Sequence, residues 1–161
     1  MHENRILIHK LKNFENINSN FLTITLMLFG SILLAISAKV QVPFWPVPMT
    51  MQTFVIFLIG MTYSVRLSFA TVAFYLFQGA IGLPVFAAGG GVAYLVGPTA
   101  GYLYGMLFAS IFISYLANLG FSKTYFKATV SLLIGSAIIF SFGIIYLGYI
   151  IGFEKAVAAG L

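Results

Sequence analysis

What most constrains this chain is how little charge interrupts its apolar runs. Eight Lys or Arg and three acidic side chains are spread over 161 residues. No charged residue falls in the segments Phe21 to Ala38, Leu67 to Leu83, Pro98 to Asn118 or Ala128 to Ile151. The first of these alone makes about 27 Å of helix, enough to cross hydrocarbon. Hydrophobic residues reach 61%, charged residues 7% and mean hydropathy +1.04, so no small single domain could shield that much apolar surface from water. A soluble globule and a disordered chain are both excluded. The chain reads as an all-α, polytopic membrane helix bundle.

About five spans are expected. Residues 1–20 are polar and mixed in charge, lack the small-residue cleavage site of a signal peptide, and read as a cytoplasmic tail or an interfacial helix leading into the first span. The membrane domain then covers residues 21–161. After the first span, Lys39 to Met49 holds Pro43, Pro46 and Pro48, a spacing that forbids helix and favours a stiff, hairpin-like segment. A short second span is expected near Thr50 to Tyr63, and the third runs from Leu67 to Leu83 and stops at Pro84. A loop from Pro84 to Gly97 carries Gly89, Gly90 and Gly91. Pro98 suits the first position of the fourth helix, where a missing N–H costs nothing. The fifth span covers Ala128 to Ile151, and Gly152 to Leu161 is too short to cross.

The cations orient these spans. With the N-terminus inside, Arg5, Lys10, Lys12, Arg66, Lys123 and Lys127 lie on the inner side, and Lys39 and Lys155 on the outer. That asymmetry follows the positive-inside rule and puts the proline-rich and glycine-rich loops outside. The basic pI needs no nucleic-acid partner, because the cations are scattered between spans rather than clustered.

Ser68, Thr71, Tyr75 and Gln78 are spaced three, four and three apart, so they share one face of the third helix. Lipid gives such groups no partner, and the stripe should face the bundle interior. The alternating helix directions bring Gln78, Gln52, Thr99 and Tyr102 to outer ends, next to Lys39 and Trp45. Two uses are open: interhelical hydrogen bonding, or a small-molecule pocket reached from outside. Trp45 suits either an interfacial anchor or ligand stacking. Candidate ligand-binding residues are Lys39, Trp45, Gln52, Gln78, Gly89, Gly90, Gly91 and Tyr102. Gly101, Gly105 and Ala109 form a small-residue groove, with Ser31 and Ala35 a weaker one. Packing within the chain and docking of a partner subunit are both open for these.

Catalytic chemistry finds few parts here. There is no cysteine and no Asp, and Glu3, Glu15 and Glu154 lie outside the apolar runs. No paired carboxylates, proton relay or hydrolase triad can be assembled within the spans. His2 and His9 lack metal-ligand spacing, and Gly89–Gly91 lacks the Gly-Lys-Ser/Thr of a phosphate loop. No metal, cofactor or catalytic residue is therefore expected.

The run Val42-Pro-Phe-Trp-Pro-Val-Pro-Met-Thr-Met-Gln-Thr53, then Gly79-Ala-Ile-Gly-Leu-Pro-Val-Phe-Ala87, then Gly97-Pro-Thr-Ala-Gly-Tyr102, resembles the biotin transporter BioY family. The resemblance covers about residues 21–160. It implies a six-helix S component of an energy-coupling-factor transporter. Such a subunit takes biotin from outside and docks on a transmembrane coupling protein with two ATPase subunits, though some members work without that module. On this resemblance, Lys39 and Trp45 belong to an outer lid, and Gln52, Gln78 and Tyr102 bind polar ligand atoms. The glycine run lets its loop approach closely. The family continues past Glu154-Lys-Ala-Val-Ala-Ala-Gly-Leu161 into a Pro-Gly-Asp turn and a last helix with a Lys, which this sequence does not include. Readings of other kinds are an S component for another vitamin and a non-transporting membrane assembly subunit.

Overall fold

A computed structural model describes residues 19–160. The polar tail with Arg5, Lys10 and Lys12 lies outside the described residues. The elements in order are α1 Ser19–Lys39, β1 Gln41–Val42, β2 Met49–Thr50, α2 Gln52–Thr62, α3 Val65–Ala80 and α4 Val92–Leu95. They continue with α5 Ala100–Asn118, a 3-10 turn Phe121–Lys123, α6 Tyr125–Ile151 and α7 Phe153–Gly160. Among the described residues the architecture is all-α apart from an isolated bridge and one small antiparallel hairpin, in which Gln41 faces Thr50 and Val42 faces Met49.

Three helices, α1, α5 and α6, are long and apolar enough to cross a membrane. The expected second and third spans are shorter. α2 has 11 residues and α3 has 16, or roughly 16 Å and 24 Å of helix. The proline-rich stretch pairs as β-structure up to Thr50, so the backbone becomes helical only from Gln52. Ser64 starts α3 by accepting a hydrogen bond from the Leu67 N–H at 3.4 Å. Pro98 corrects another expectation. It sits in a turn before Thr99, the N-cap of α5, because α4 occupies part of the loop and the chain must still turn before α5 begins.

α5 is the axis of the bundle. It packs against α2, α3 and α6, while α1 rests on α2 and α3. Burial follows that order: 67% of α5's apolar stretch is enclosed by protein, against 28% for both α1 and α6. The exposed flanks of α1 and α6 carry Phe21, Ile24, Phe29, Ile32, Leu133 and Ile145, as helices facing lipid do.

Polar groups bind the helices together. Ser31 Oγ donates to Gln78 Oε1 at 2.6 Å, joining α1 to α3. Ser68 Oγ donates to the Ser110 carbonyl at 3.2 Å, and Ser114 Oγ to the Tyr63 carbonyl at 2.5 Å. Tyr63 in turn donates to the Leu26 carbonyl at 2.9 Å. Among the described residues no buried side-chain nitrogen or oxygen lacks a partner. In a bilayer an unpaired group would cost several kcal/mol.

The small-residue groove is filled from within the chain. A Cβ on Gly101 would stand 2.4 Å from Tyr146 Cβ, and one on Gly105 would stand 2.9 Å from Ile139 Cα. Both neighbours belong to α6, and Ala109 is fully buried. Ser31 is likewise buried and committed to Gln78, with Ala35 packed against the core. The expectation of partner docking is corrected for Gly101 and Gly105, whose space α6 fills, for Ala109, which is fully buried, and for Ser31, which bonds Gln78; Ala35, only partly enclosed, is left as a docking candidate. α6 lies too close to α5 for another helix to enter.

Candidate ligand-binding site

A cavity of about 470 Å³ lies at the end of the bundle where the hairpin, the 81–99 loop and α7 converge. Its size is typical of small-molecule pockets. The hairpin contributes Phe44, Trp45, Val47, Pro48, Met49 and Thr50, and α2 contributes Gln52 and Thr53. Ala87, Tyr94 and Thr99 come from the loop, Tyr102, Leu103 and Met106 from α5, Ile139 and Phe140 from α6, and Ala158 from α7. None of these lining residues is charged. Six of them offer hydroxyl or amide groups: Thr50, Gln52, Thr53, Tyr94, Thr99 and Tyr102.

Local geometry explains how the polar members are held. The hairpin register delivers Thr50 and then Gln52 to the cavity at the start of α2. Gln52 is 4% exposed; its Nε2 donates to Tyr75 Oη at 2.8 Å, and Thr50 Oγ1 donates to its Oε1 at 3.1 Å. The Tyr102 ring lies over Gly143, where a Cβ would come within 2.3 Å of it, and meets Phe140 edge-on at 6.4 Å. Gly143 thus sets the depth at which Tyr102 sits. Trp45, 89% exposed, stands at the mouth.

The structure brings Trp45, Gln52 and Tyr102 together around the cavity, and Thr99 with them. It uses the other candidates elsewhere. Gln78 is engaged with Ser31 between α1 and α3. Lys39 donates from Nζ to the Phe86 carbonyl at 2.6 Å, tying the end of α1 to the 81–99 loop. Gly89 pairs with Phe86 in a β-bridge, and the Gly91 N–H donates to the Gly79 carbonyl at 2.7 Å. Gly90 lies so close to Leu83 that a Cβ would stand 2.0 Å from its carbonyl oxygen. Gly89 and Gly91 also have φ of +134° and +104°, conformations that glycine adopts without strain. The glycine run therefore closes the loop upon itself rather than lining the cavity.

The loop is sealed around Phe86, which is fully buried, stacked on Tyr94 at 4.9 Å and edge-on to Tyr75 at 5.4 Å. Lys39→Ala removes the charged donor to its carbonyl. Amide exchange at Gly89, whose N–H donates to the same carbonyl, is expected to rise about tenfold. Hydrogen-exchange mass spectrometry over residues 84–91 checks this, and unchanged protection would show that the ammonium contributes nothing to the loop.

Bundle and chamber together define an α-helical membrane protein with a neutral cavity of small-molecule size at one end. The BioY family profile matches residues 10–161. The chain is 32% identical over 156 residues to a Rickettsia prowazekii protein named "Probable biotin transporter BioY", covering 96% of this chain and 80% of that one. It is 37% identical over 130 residues to the "Biotin transporter BioY" of Thermotoga maritima, covering 80% and 76% respectively. The fold is similar to a crystal structure of the S-component for biotin from an ECF-type ABC transporter. That likeness has a TM-score of 0.78 at 24% identity and covers 90% of this chain and 82% of that one. The chain belongs to the BioY family.

Proposed function

We propose that this protein captures biotin at the outer face of the plasma (inner) membrane, as the S component of an energy-coupling-factor transporter. Family membership and the names of its relatives support the ligand. The observation that carries the reading is the neutral cavity, with one amide and several hydroxyls on its walls and aromatic rings around them. A ureido ring matches the hydroxyls and the Gln52 amide. Phe44, Trp45 and Phe140 suit the sulfur-containing ring. The carboxylate is best left toward the open mouth, since burying an unpaired charge is costly. Trp45, Gln52 and Tyr102 act as ligand contacts, while Lys39, Gln78 and Gly89–Gly91 hold the surrounding frame.

The protein binds rather than catalyses on this reading, and the energy for uphill movement comes from a transmembrane coupling protein with two ATPase subunits. Cation placement supports a cytoplasmic N-terminus, with the cavity facing outward. Purified protein in lipid nanodiscs is expected to bind labelled biotin saturably, and biotin but not thiamine or riboflavin should compete. Displacement by thiamine or riboflavin instead would reassign the vitamin. Absence of any saturable binding would remove the reading.

A further inference from the structure

One buried side chain that does not line the cavity fixes what the cavity floor can recognise. Tyr75, 1% exposed on α3, has a single hydroxyl proton, and its oxygen lies 3.1 Å from the Val85 carbonyl. That carbonyl can only accept, so the proton goes to Val85. The same oxygen must therefore accept from its other neighbour, Gln52, 2.8 Å away. This assigns the amide: Nε2 turns to Tyr75, and Oε1 turns to Thr50, another residue of the cavity wall. Thr50 spends its own hydroxyl proton on Gln52 Oε1 at 3.1 Å and accepts from the Gln52 N–H at 3.4 Å, leaving one lone pair for a further donor.

We propose that Tyr75 is a positioning residue for ligand specificity. The Val85–Tyr75–Gln52–Thr50 chain locks the amide so that Gln52 Oε1 and Thr50 Oγ1 present an acceptor patch. A ligand end rich in N–H donors is selected there, and an isosteric end without them sets its own oxygens against the remaining lone pairs of these acceptors. Both cavity-lining members sit beside each other at the start of α2, which gives the patch a fixed spacing. For biotin, whose ureido ring carries two such donors, the proposal rests on the functional reading above.

The test compares equilibrium binding of biotin with that of its cyclic-carbonate analogue, in which both ureido N–H groups are replaced by oxygen. Purified full-length protein in nanodiscs is used throughout. The wild-type protein is expected to prefer biotin by about a hundredfold or more. Tyr75→Phe frees the amide to rotate and should cut that preference at least about fivefold, with helical content retained. A role limited to packing would weaken both ligands in the same proportion, and an unchanged ratio overturns the proposal. Gln52→Met removes the acceptor at similar volume and keeps the proposal testable if Tyr75→Phe folds poorly. Its ratio should fall toward unity, and a ratio held at the wild-type value overturns the proposal as well. Wild-type protein that binds neither ligand sinks the functional reading with it. Tight biotin binding with no discrimination sinks the acceptor patch alone.

Discussion

Gly101→Leu should unfold this protein well below the wild-type temperature, or remove it from the membrane fraction altogether. A Cβ at Gly101 would stand 2.4 Å from Tyr146 Cβ and 2.6 Å from the Phe142 carbonyl oxygen. Neither atom is the far end of a flexible side chain, so the whole of α6 must move. Overpacking of this kind costs about 3 kcal/mol, which for a chain of this size lowers the midpoint by roughly 6–12 °C. α6 also carries Ile139 and Phe140 into the cavity wall, so its displacement should weaken ligand binding in step. Phe112→Leu, on an exposed flank of α5, should change the midpoint by no more than about 2 °C. Thermal melts of both variants in the same lipid decide it. An unshifted Gly101→Leu melt would mean that α5 and α6 are not in this close contact.

Gly79→Ala offers a sign test. In an ordinary helix interior the change stabilises by about 0.5–1 kcal/mol, because alanine loses less backbone freedom on folding. Here the added methyl would stand 1.9 Å from the Phe86 ring, which has no exposed surface to retreat toward. The ring must leave its place against Tyr75 and Tyr94, carrying with it the carbonyl that Lys39 holds. Since Ala87 and Tyr94 line the cavity, biotin retention is expected to fall about tenfold or more, with far-ultraviolet circular dichroism preserved. A variant more stable than wild type and unimpaired in binding would refute the packing described around Phe86.

Much of the fold was legible because the bilayer imposes a simple rule on sequence. Long uncharged stretches had to be helices, and the polar stripe Ser68, Thr71, Tyr75 and Gln78 had to face inward. Periodicity places a residue on a face but does not choose its partner. Gln78 and Gln52 looked alike as amides near the same end, yet Gln78 meets Ser31 between helices while Gln52 reaches the cavity. Trp45, Gln52 and Tyr102 were found because polar or indole groups stand out in an apolar chain. Met106, Ile139, Phe140 and Ala158 were missed for the opposite reason. A cavity-lining apolar residue on a membrane helix carries the same signature as one facing lipid. Nor could the sequence show that α4 would form inside the glycine-rich loop, since four residues are too few for a periodic signal.

The brevity of α2 has a consequence for passage across the membrane. Its 11 residues account for about half of a 30 Å hydrocarbon slab, and its first residue, Gln52, lines the cavity. On the outward-facing arrangement proposed above, a solute held at Gln52 would still be in touch with external water. The rod beneath it would be about 16 Å long, shorter than a full crossing. On that arrangement, release inward would call for a parting alongside this short rod rather than along a full-length helix.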